Sequence, residues 1–187
     1  MNRSLVARFL APLLLSSLLP GCASGPPTGI EPVGDFDVER YLGTWYEIAR
    51  LDHGFEEGLQ AVSATYSPGE SEETLRVVNR GWNVEERAWE EAEGEARLAR
   101  GPGTGWLEVS FFGPFYATYA VFELDDDYRH AYVTGEDRSY LWFLSRTPEV
   151  TDEELDAFRD RARAEGFDLD ELIVVDHQNV PAPAPGS

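Results

Sequence analysis

The stretch Arg40-Tyr41-Leu42-Gly43-Thr44-Trp45-Tyr46-Glu47-Ile48-Ala49-Arg50 passes Gly43 into a run, Thr44–Arg50, of aromatic and β-branched residues. Such a composition suits a pleated, half-buried strand. Seven further runs of the same kind follow, at residues 61–66, 74–79, 93–98, 105–111, 116–124, 130–134 and 140–145. Turn clusters separate them, among them Ser67-Pro68-Gly69, Gly101-Pro102-Gly103, Asp125-Asp126-Asp127 and Gly135-Glu136-Asp137. Strands at roughly 8–12-residue spacing indicate an all-β sandwich or barrel. Eight in succession with short connections fit an up-and-down antiparallel barrel, in which closure removes the exposed edges.

One helix interrupts this pattern. Thr151-Asp152-Glu153-Glu154 reads as a capping box, in which the Thr hydroxyl accepts from the backbone N–H of Glu154 and the Glu carboxylate reaches back. Leu155, Phe158 and Ala162 then share one face at helical spacing, and Gly166 is a suitable stop. The expectation is a surface helix laid on the barrel wall, followed by a last strand at residues 172–175.

Composition narrows the functional classes. All 15 basic side chains are Arg, against 35 acids, for a formal net charge of −20. Phosphate-backbone recognition needs clustered positive charge, so a nucleic-acid partner is excluded. With a single cysteine, Cys22, the chain can form neither an intrachain disulfide nor a Cys-cluster metal site. Arg3 and Arg8 flank an apolar run at residues 9–19 that is too short to span a bilayer as a helix, which takes about 20 residues. A positive flank with a short apolar core is the pattern of a secretory signal peptide, residues 1–21. Its exit, Leu19-Pro20-Gly21-Cys22, resembles the lipobox of bacterial lipoproteins, whose Cys becomes lipid-modified. Pro20 departs from the small or β-branched residue usual there. The resemblance implies a palmitate-type lipid anchor on Cys22. Ala23, which is not the Asp of inner-membrane retention, then implies the periplasmic face of the outer membrane. Residues 22–34 are Gly/Pro-rich and are expected to form a flexible tether; residues 178–187 are expected to form a disordered tail.

Three stretches carry a resemblance to a known family. Gly43-Thr44-Trp45 at the head of the first strand resembles the Gly-x-Trp signature of the lipocalins. Leu124-Asp125-Asp126-Asp127-Tyr128 resembles their second motif, an Asp-Tyr near a strand turn. Leu144-Ser145-Arg146-Thr147-Pro148 resembles the third, an Arg just before the helix. All three fall in family order. The run Val109-Ser110-Phe111-Phe112-Gly113-Pro114-Phe115-Tyr116, with Leu51-Asp52-His53, Phe55-Glu56 and Tyr140-Leu141-Trp142, looks like the bacterial branch of the family, close to apolipoprotein D. The similarity covers about residues 35–177 and departs from the pattern only at the turn near residues 67–73. It implies an eight-stranded barrel closed at one end that carries a fatty acid, a lysophospholipid or a similar apolar molecule.

The resemblance pairs Trp45 with Arg146 as a cation–π plug at the barrel floor, with Gly43 beside them. Strand parity, anchored on that pair, points Tyr140, Trp142 and Leu144 inward. Matching the other strands to the family pattern adds Val62, Ala64 and Tyr66; Val77 and Asn79; Ala96 and Leu98; Leu107, Val109 and Phe111; and Tyr119 and Val121. These fifteen are the expected ligand-binding residues, although inward side chains in a barrel of this size can equally fill a solid core. No Gly-x-Ser-x-Gly, His-Glu-x-x-His or phosphate loop occurs, and His53, His130 and His177 are scattered. The expectation is therefore a lipid-binding protein with no catalytic residues, metal or cofactor, and with homodimerisation left open. The alternative reading is a lipocalin-type isomerase or synthase acting on a bound apolar substrate.

Overall fold

The structure, a computed structural model, describes residues 25–71 and 73–182. The signal segment and Cys22 lie outside the described residues. In chain order the elements are β1 (Gly34–Phe36), α1 (Val38–Tyr41), β2 (Gly43–Leu51), β3 (Leu59–Pro68), β4 (Thr74–Asn83), β5 (Ala88–Leu98), β6 (Gly103–Thr104), β7 (Trp106–Ser110), β8 (Ala117–Leu124), β9 (His130–Thr134), β10 (Leu141–Ser145), α2 (Asp152–Ala164) and β11 (Leu172–Val174). Each of β2, β3, β4, β5, β7, β8, β9 and β10 pairs antiparallel with the next, and β10 pairs back onto β2. The result is a closed eight-stranded antiparallel barrel. The eight runs of aromatic and β-branched residues are its eight strands.

The β4–β5 hairpin is longer than its pattern suggests. Pairing continues out to Trp82–Trp89 and Asn83–Ala88, with the two indoles 5.8 Å apart, edge to face. A cross-strand aromatic pair of this kind stabilises a ladder at the point where the local sequence is richest in acids. Glu90, Glu91, Glu93 and Glu95 therefore all belong to β5.

Strand alternation sorts the core into two layers. Inside the barrel, Trp45, Tyr66, Val77, Ala96, Leu107, Val121, Val133 and Leu144 pack with Phe36, Tyr41 and Tyr128. Outside, Ile48, Phe122, Leu141 and Phe143 pack against Phe158 and Ala162 of α2. The Phe158 ring stacks on Phe143 and meets Tyr132 edge-on, each with centroids 5.0 Å apart. The capping box is formed: Glu154 N–H donates to Thr151 Oγ1 at 3.2 Å, and Thr151 N–H donates to Glu154 Oε2 at 2.7 Å. At the other end Phe167 N–H reaches back to Ala162 O across Gly166, whose φ is +85°.

At both ends the described residues lie on the barrel, residues 25–34 at one and 172–178 at the other. In the Gly/Pro-rich N-terminal stretch, Ile30 is buried in the outer core. Val33 N–H donates to Val121 O, and β1 pairs with β6. The apolar Ile30 and Val33 give this segment something to bury, so it docks from Gly25 onward. At the C-terminus, β11 pairs with the upper part of β2, and Ala61 N–H donates to Asp176 O, so the last strand fills the gap where β2 and β3 separate. The expected disordered tail is also held at its start, since Gln178 bonds to both Asp176 and Glu149.

Candidate functional site

The two ends of the barrel are built differently. Below the strands, Asp37 caps α1, the short helix that swings Tyr41 beneath the barrel. The Tyr41 ring lies 4.8 Å from Trp45 and 5.4 Å from Tyr66, and its hydroxyl is 2.7 Å from that of Tyr119. Burial holds all three phenols neutral, pushing Tyr41 and Tyr119 well up and Tyr66 up to about 12. Trp45, fully buried, donates its indole N–H to Tyr41 O. The Arg146 guanidinium lies 3.8 Å over its ring and donates to the carbonyls of Thr44, Arg40 and Tyr128. Gly43 has φ of +94°, and a Cβ there would sit 3.4 Å from Arg146 Nη1. The Gly-x-Trp spacing thus joins a left-handed backbone and close guanidinium passage to the indole one residue later.

Above this layer a cavity of about 570 Å³ opens at the opposite end. That is within the range of roughly 300–1,000 Å³ common for small-molecule sites. Of the fifteen expected residues, Val62, Ala64, Tyr66, Val77, Asn79, Val109, Phe111, Tyr119, Tyr140, Trp142 and Leu144 line it. Ala96, Leu98, Leu107 and Val121 point inward but do not reach it. They pack in the lower barrel core, where α1 and its Tyr41 fill the space. Parity found the inward face; it could not find how far up the floor rises, because α1 left no periodic signal.

The cavity wall also holds a polar cluster that parity missed. Glu47, His53 and Glu56 line the cavity, and Arg50 lies behind them, 1% exposed. Arg50 donates to Glu47 Oε1 at 2.7 Å and to the carbonyls of Glu56 and Leu59 at 2.9 and 3.1 Å. Glu56 Oε2 accepts from the Trp142 indole at 3.1 Å and lies 3.2 Å from His53 Nε2. Glu47 and Arg50 share a face because β2 bulges: Leu144 pairs with Glu47 but Phe143 pairs with Ala49, leaving Ile48 as the extra residue. The strand's alternation shifts by one there, and only that shift puts residues three apart side by side.

Burial pushes the Glu47 carboxyl well up, helped by the Glu56 charge and opposed by Arg50. Burial would also push Glu56 up, but His53, Trp142 and Arg50 together hold it below its ordinary value. Among the described residues no Arg side chain lines the cavity, so a ligand anion would find no fixed guanidinium from them there. Asn79 Oδ1 and His53 Nδ1 are buried without a protein partner. Among the described residues no three His, Cys, Asp or Glu side chains are placed to hold a metal ion.

Phe112, Phe115, Tyr116, Ala117, Thr118, Gly135 and Glu136 also border the opening, together with Phe55. Ala117 and Thr118 begin β8, and the others sit on the loops joining β2 to β3, β7 to β8 and β9 to β10. The only sequence signal for them was the uncharged aromatic run after Val109.

Comparisons with known proteins agree with this architecture. A family profile described as a lipocalin-like domain matches residues 36–177. The outer membrane lipoprotein Blc of Vibrio cholerae is 48% identical over 167 residues, covering 89% of this chain and 96% of that protein. The protein of the same name from Escherichia coli K12 is 50% identical over 159 residues, covering 84% and 89%. Mouse apolipoprotein D is more distant, at 27% identity over 79% of this chain and 80% of its own. Among solved structures, insecticyanin from the tobacco hornworm Manduca sexta superposes with a TM-score of 0.66 at 20% identity, covering 83% of this chain and 88% of that one. The closed barrel with its flanking helix and the match over residues 36–177 place this chain in the lipocalin family.

Proposed function

We propose that this protein is an outer-membrane lipoprotein, anchored through Cys22 on the periplasmic face, that holds one fatty acid, lysophospholipid or similar single-chain lipid for storage, transport or membrane maintenance. The observation that carries this reading is the cavity of about 570 Å³, apolar in its depth, left open at one end of a closed barrel. The names of the Blc relatives support the membrane and lipoprotein parts. The acyl tail lies against Val62, Ala64, Val77, Val109 and Leu144, with its end toward the tyrosine layer. The headgroup sits at the mouth. Arg50 is buried and bound to Glu47, which leaves the headgroup to solvent and to polar groups such as Asn79. This arrangement suits neutral or zwitterionic headgroups better than a deeply buried carboxylate.

A tail of about 14 methylenes at about 0.8 kcal/mol each sets a ceiling near 11 kcal/mol. Association and ordering take back at least about 4 kcal/mol, leaving about 7 kcal/mol, or micromolar affinity. The test is titration with fatty acids of increasing length, followed by tryptophan fluorescence in the wild type and in Trp142→Phe. Affinity is expected to rise with length and then level off, and the signal to shrink in the variant. Affinity independent of length would exclude a buried tail, and an undiminished signal would remove Trp142 from the site.

A further inference from the structure

The cavity wall carries acceptors that the protein itself does not use. Among the described residues that line it, the buried polar side-chain atoms left without a hydrogen bond belong to His53 and Asn79. The free atom of Asn79 is its carbonyl oxygen, Oδ1. On His53, Nε2 lies 3.2 Å from Glu56 Oε2. A ring proton on Nε2 faces that carboxylate and leaves Nδ1 as an acceptor. The His53 and Glu56 side chains are only 7% and 6% exposed, so bulk water does little for them. A buried polar atom without a partner is costly, and in a cavity wall the missing partner is whatever the cavity holds. Both orphan atoms call for a ligand that donates.

The charge around His53 points the same way. Glu56 keeps its negative charge, because His53, Trp142 and Arg50 hold its carboxyl below the ordinary value. Arg50 lies behind the wall on Glu47 and two carbonyls, so the cluster turns its negative end toward the cavity. Arg138 of the β9–β10 loop is tied to the carbonyls of Glu165 and Thr28. Glu136 of the same loop borders the opening. The rings here add to the effect: Trp142 is centred 5.0 Å from His53 and 6.1 Å from Tyr140. Aromatic faces attract cations, and Trp does so most strongly.

We propose that the corner formed by His53, Glu56 and Trp142 is a subsite for a protonated amine, and that the ligand is a single-chain lipid whose headgroup carries an ammonium N–H. This rests on the reading of the cavity as a lipid site and adds the chemistry of the headgroup. The ammonium donates to His53 Nδ1 beside the Glu56 carboxylate and lies against the Trp142 ring. The chain runs down the apolar wall toward the tyrosine layer. Asn79 Oδ1 remains for a hydroxyl or amide elsewhere on the ligand. A carboxylate headgroup brings no donor and meets Glu56, so it is disfavoured. Two sources supply this chemistry, a free long-chain amine and the ethanolamine headgroup of a lysophospholipid.

The experiment uses the exported chain with Cys22→Ser, which keeps every described residue and removes the anchor. Calorimetric titration compares four probes of equal chain length: dodecylammonium, dodecyltrimethylammonium, dodecanol and dodecanoate. Dodecylammonium is expected to bind about tenfold tighter than dodecanol, the size of one charge-assisted hydrogen bond. The trimethylated probe, which has no N–H, is expected to lose most of that advantage, and dodecanoate to bind most weakly. In His53→Leu and in Glu56→Gln the ratio of dodecylammonium to dodecanol affinity is expected to fall toward one, with dodecanol binding in each variant reporting an intact cavity. The wild-type advantage is expected to persist in about 1 M salt, where the Debye length is about 3 Å and the general acidity of the protein is screened. Dodecylammonium no tighter than dodecanol, an advantage shared by the trimethylated probe, an advantage unchanged in His53→Leu, or one abolished by salt overturns the amine subsite. Failure of all four probes overturns instead the cavity reading on which it rests. Lysophosphatidylethanolamine and lysophosphatidylcholine of one chain length then separate the sources. Preference for the ethanolamine lipid supports the subsite and assigns it to phospholipid; no preference, with the dodecylammonium advantage intact, supports the subsite and assigns it to free amines.

Discussion

The floor and the mouth of this barrel each hold an arginine, half-buried at the floor and buried at the mouth, and they use it in opposite ways. At the floor, Arg146 meets no carboxylate. It lies on the Trp45 indole and donates to three backbone carbonyls. At the mouth, Arg50 is paired with a carboxylate and braces the β2–β3 loop through two carbonyls, next to a cavity. At one end a guanidinium held by an indole and backbone carbonyls closes the barrel. A charged brace at the other keeps loops apart around a space that the protein does not fill. Stability is concentrated where the ligand is not.

The sharpest way to break this contrast is to truncate one tryptophan at each end. Trp45→Ala should cost about 3–5 kcal/mol, the usual range for a fully buried aromatic. Trp142→Ala should cost less than half of that, because one side of its ring already faces the cavity. Urea midpoints with unchanged slopes measure both. Equal losses would mean that the mouth is packed as tightly as the floor.

A smaller effect is expected from Arg146→Ala. It removes the cation–π contact and leaves the carbonyls of Thr44, Arg40 and Tyr128 without their donor, a loss of about 1–3 kcal/mol. An unchanged midpoint with unchanged slope would show that Arg146 does not hold the floor together.

The smallest effect is a change in pH dependence, and it belongs to the mouth alone. Burial raises the Glu47 carboxyl in the folded protein above its ordinary 4.5. Its contribution to stability is therefore complete below that unfolded value and is lost as pH rises through the folded one. Glu56 is lowered, so its contribution is present above 4.5 and is lost as pH falls through its folded value. Glu47→Gln should remove the decline on the alkaline side and leave the acid limb, read as urea midpoint against pH. A profile that keeps its alkaline decline would exclude Glu47 as its source.

The sequence was most legible where periodicity is regular. Eight runs became eight strands, and Thr151 and Glu154 cap the helix they announced. Parity, with the family pattern for the strands other than β10, placed the fifteen chosen side chains inside the barrel. Two things escaped it. The bulge at Ile48 is a register event between β2 and β10, set by two segments about a hundred residues apart, and no local pattern records it. The height of the floor depends on α1, a single turn too short to show periodicity, which carries Tyr41 into the barrel and buries Ala96, Leu98, Leu107 and Val121 beneath the cavity. Ile30 and Val33 were visible as apolar residues in a Gly/Pro-rich segment, but composition outweighed them in the expectation of a tether.

The position of β2 also bears on how the chain leaves the cell interior. Residues 43–51 pair with β3, which follows at once, but also with β10 and β11, which come from the last third of the sequence. Barrel closure therefore waits for residue 145, and the gap between β2 and β3 waits for residue 174. A chain threaded through an export channel N-terminus first cannot complete this fold while its C-terminal third is still on the other side. Long-range pairings of this kind also fold slowly, on the order of milliseconds to seconds. Late closure defers assembly of the cavity until the whole chain is available to fold.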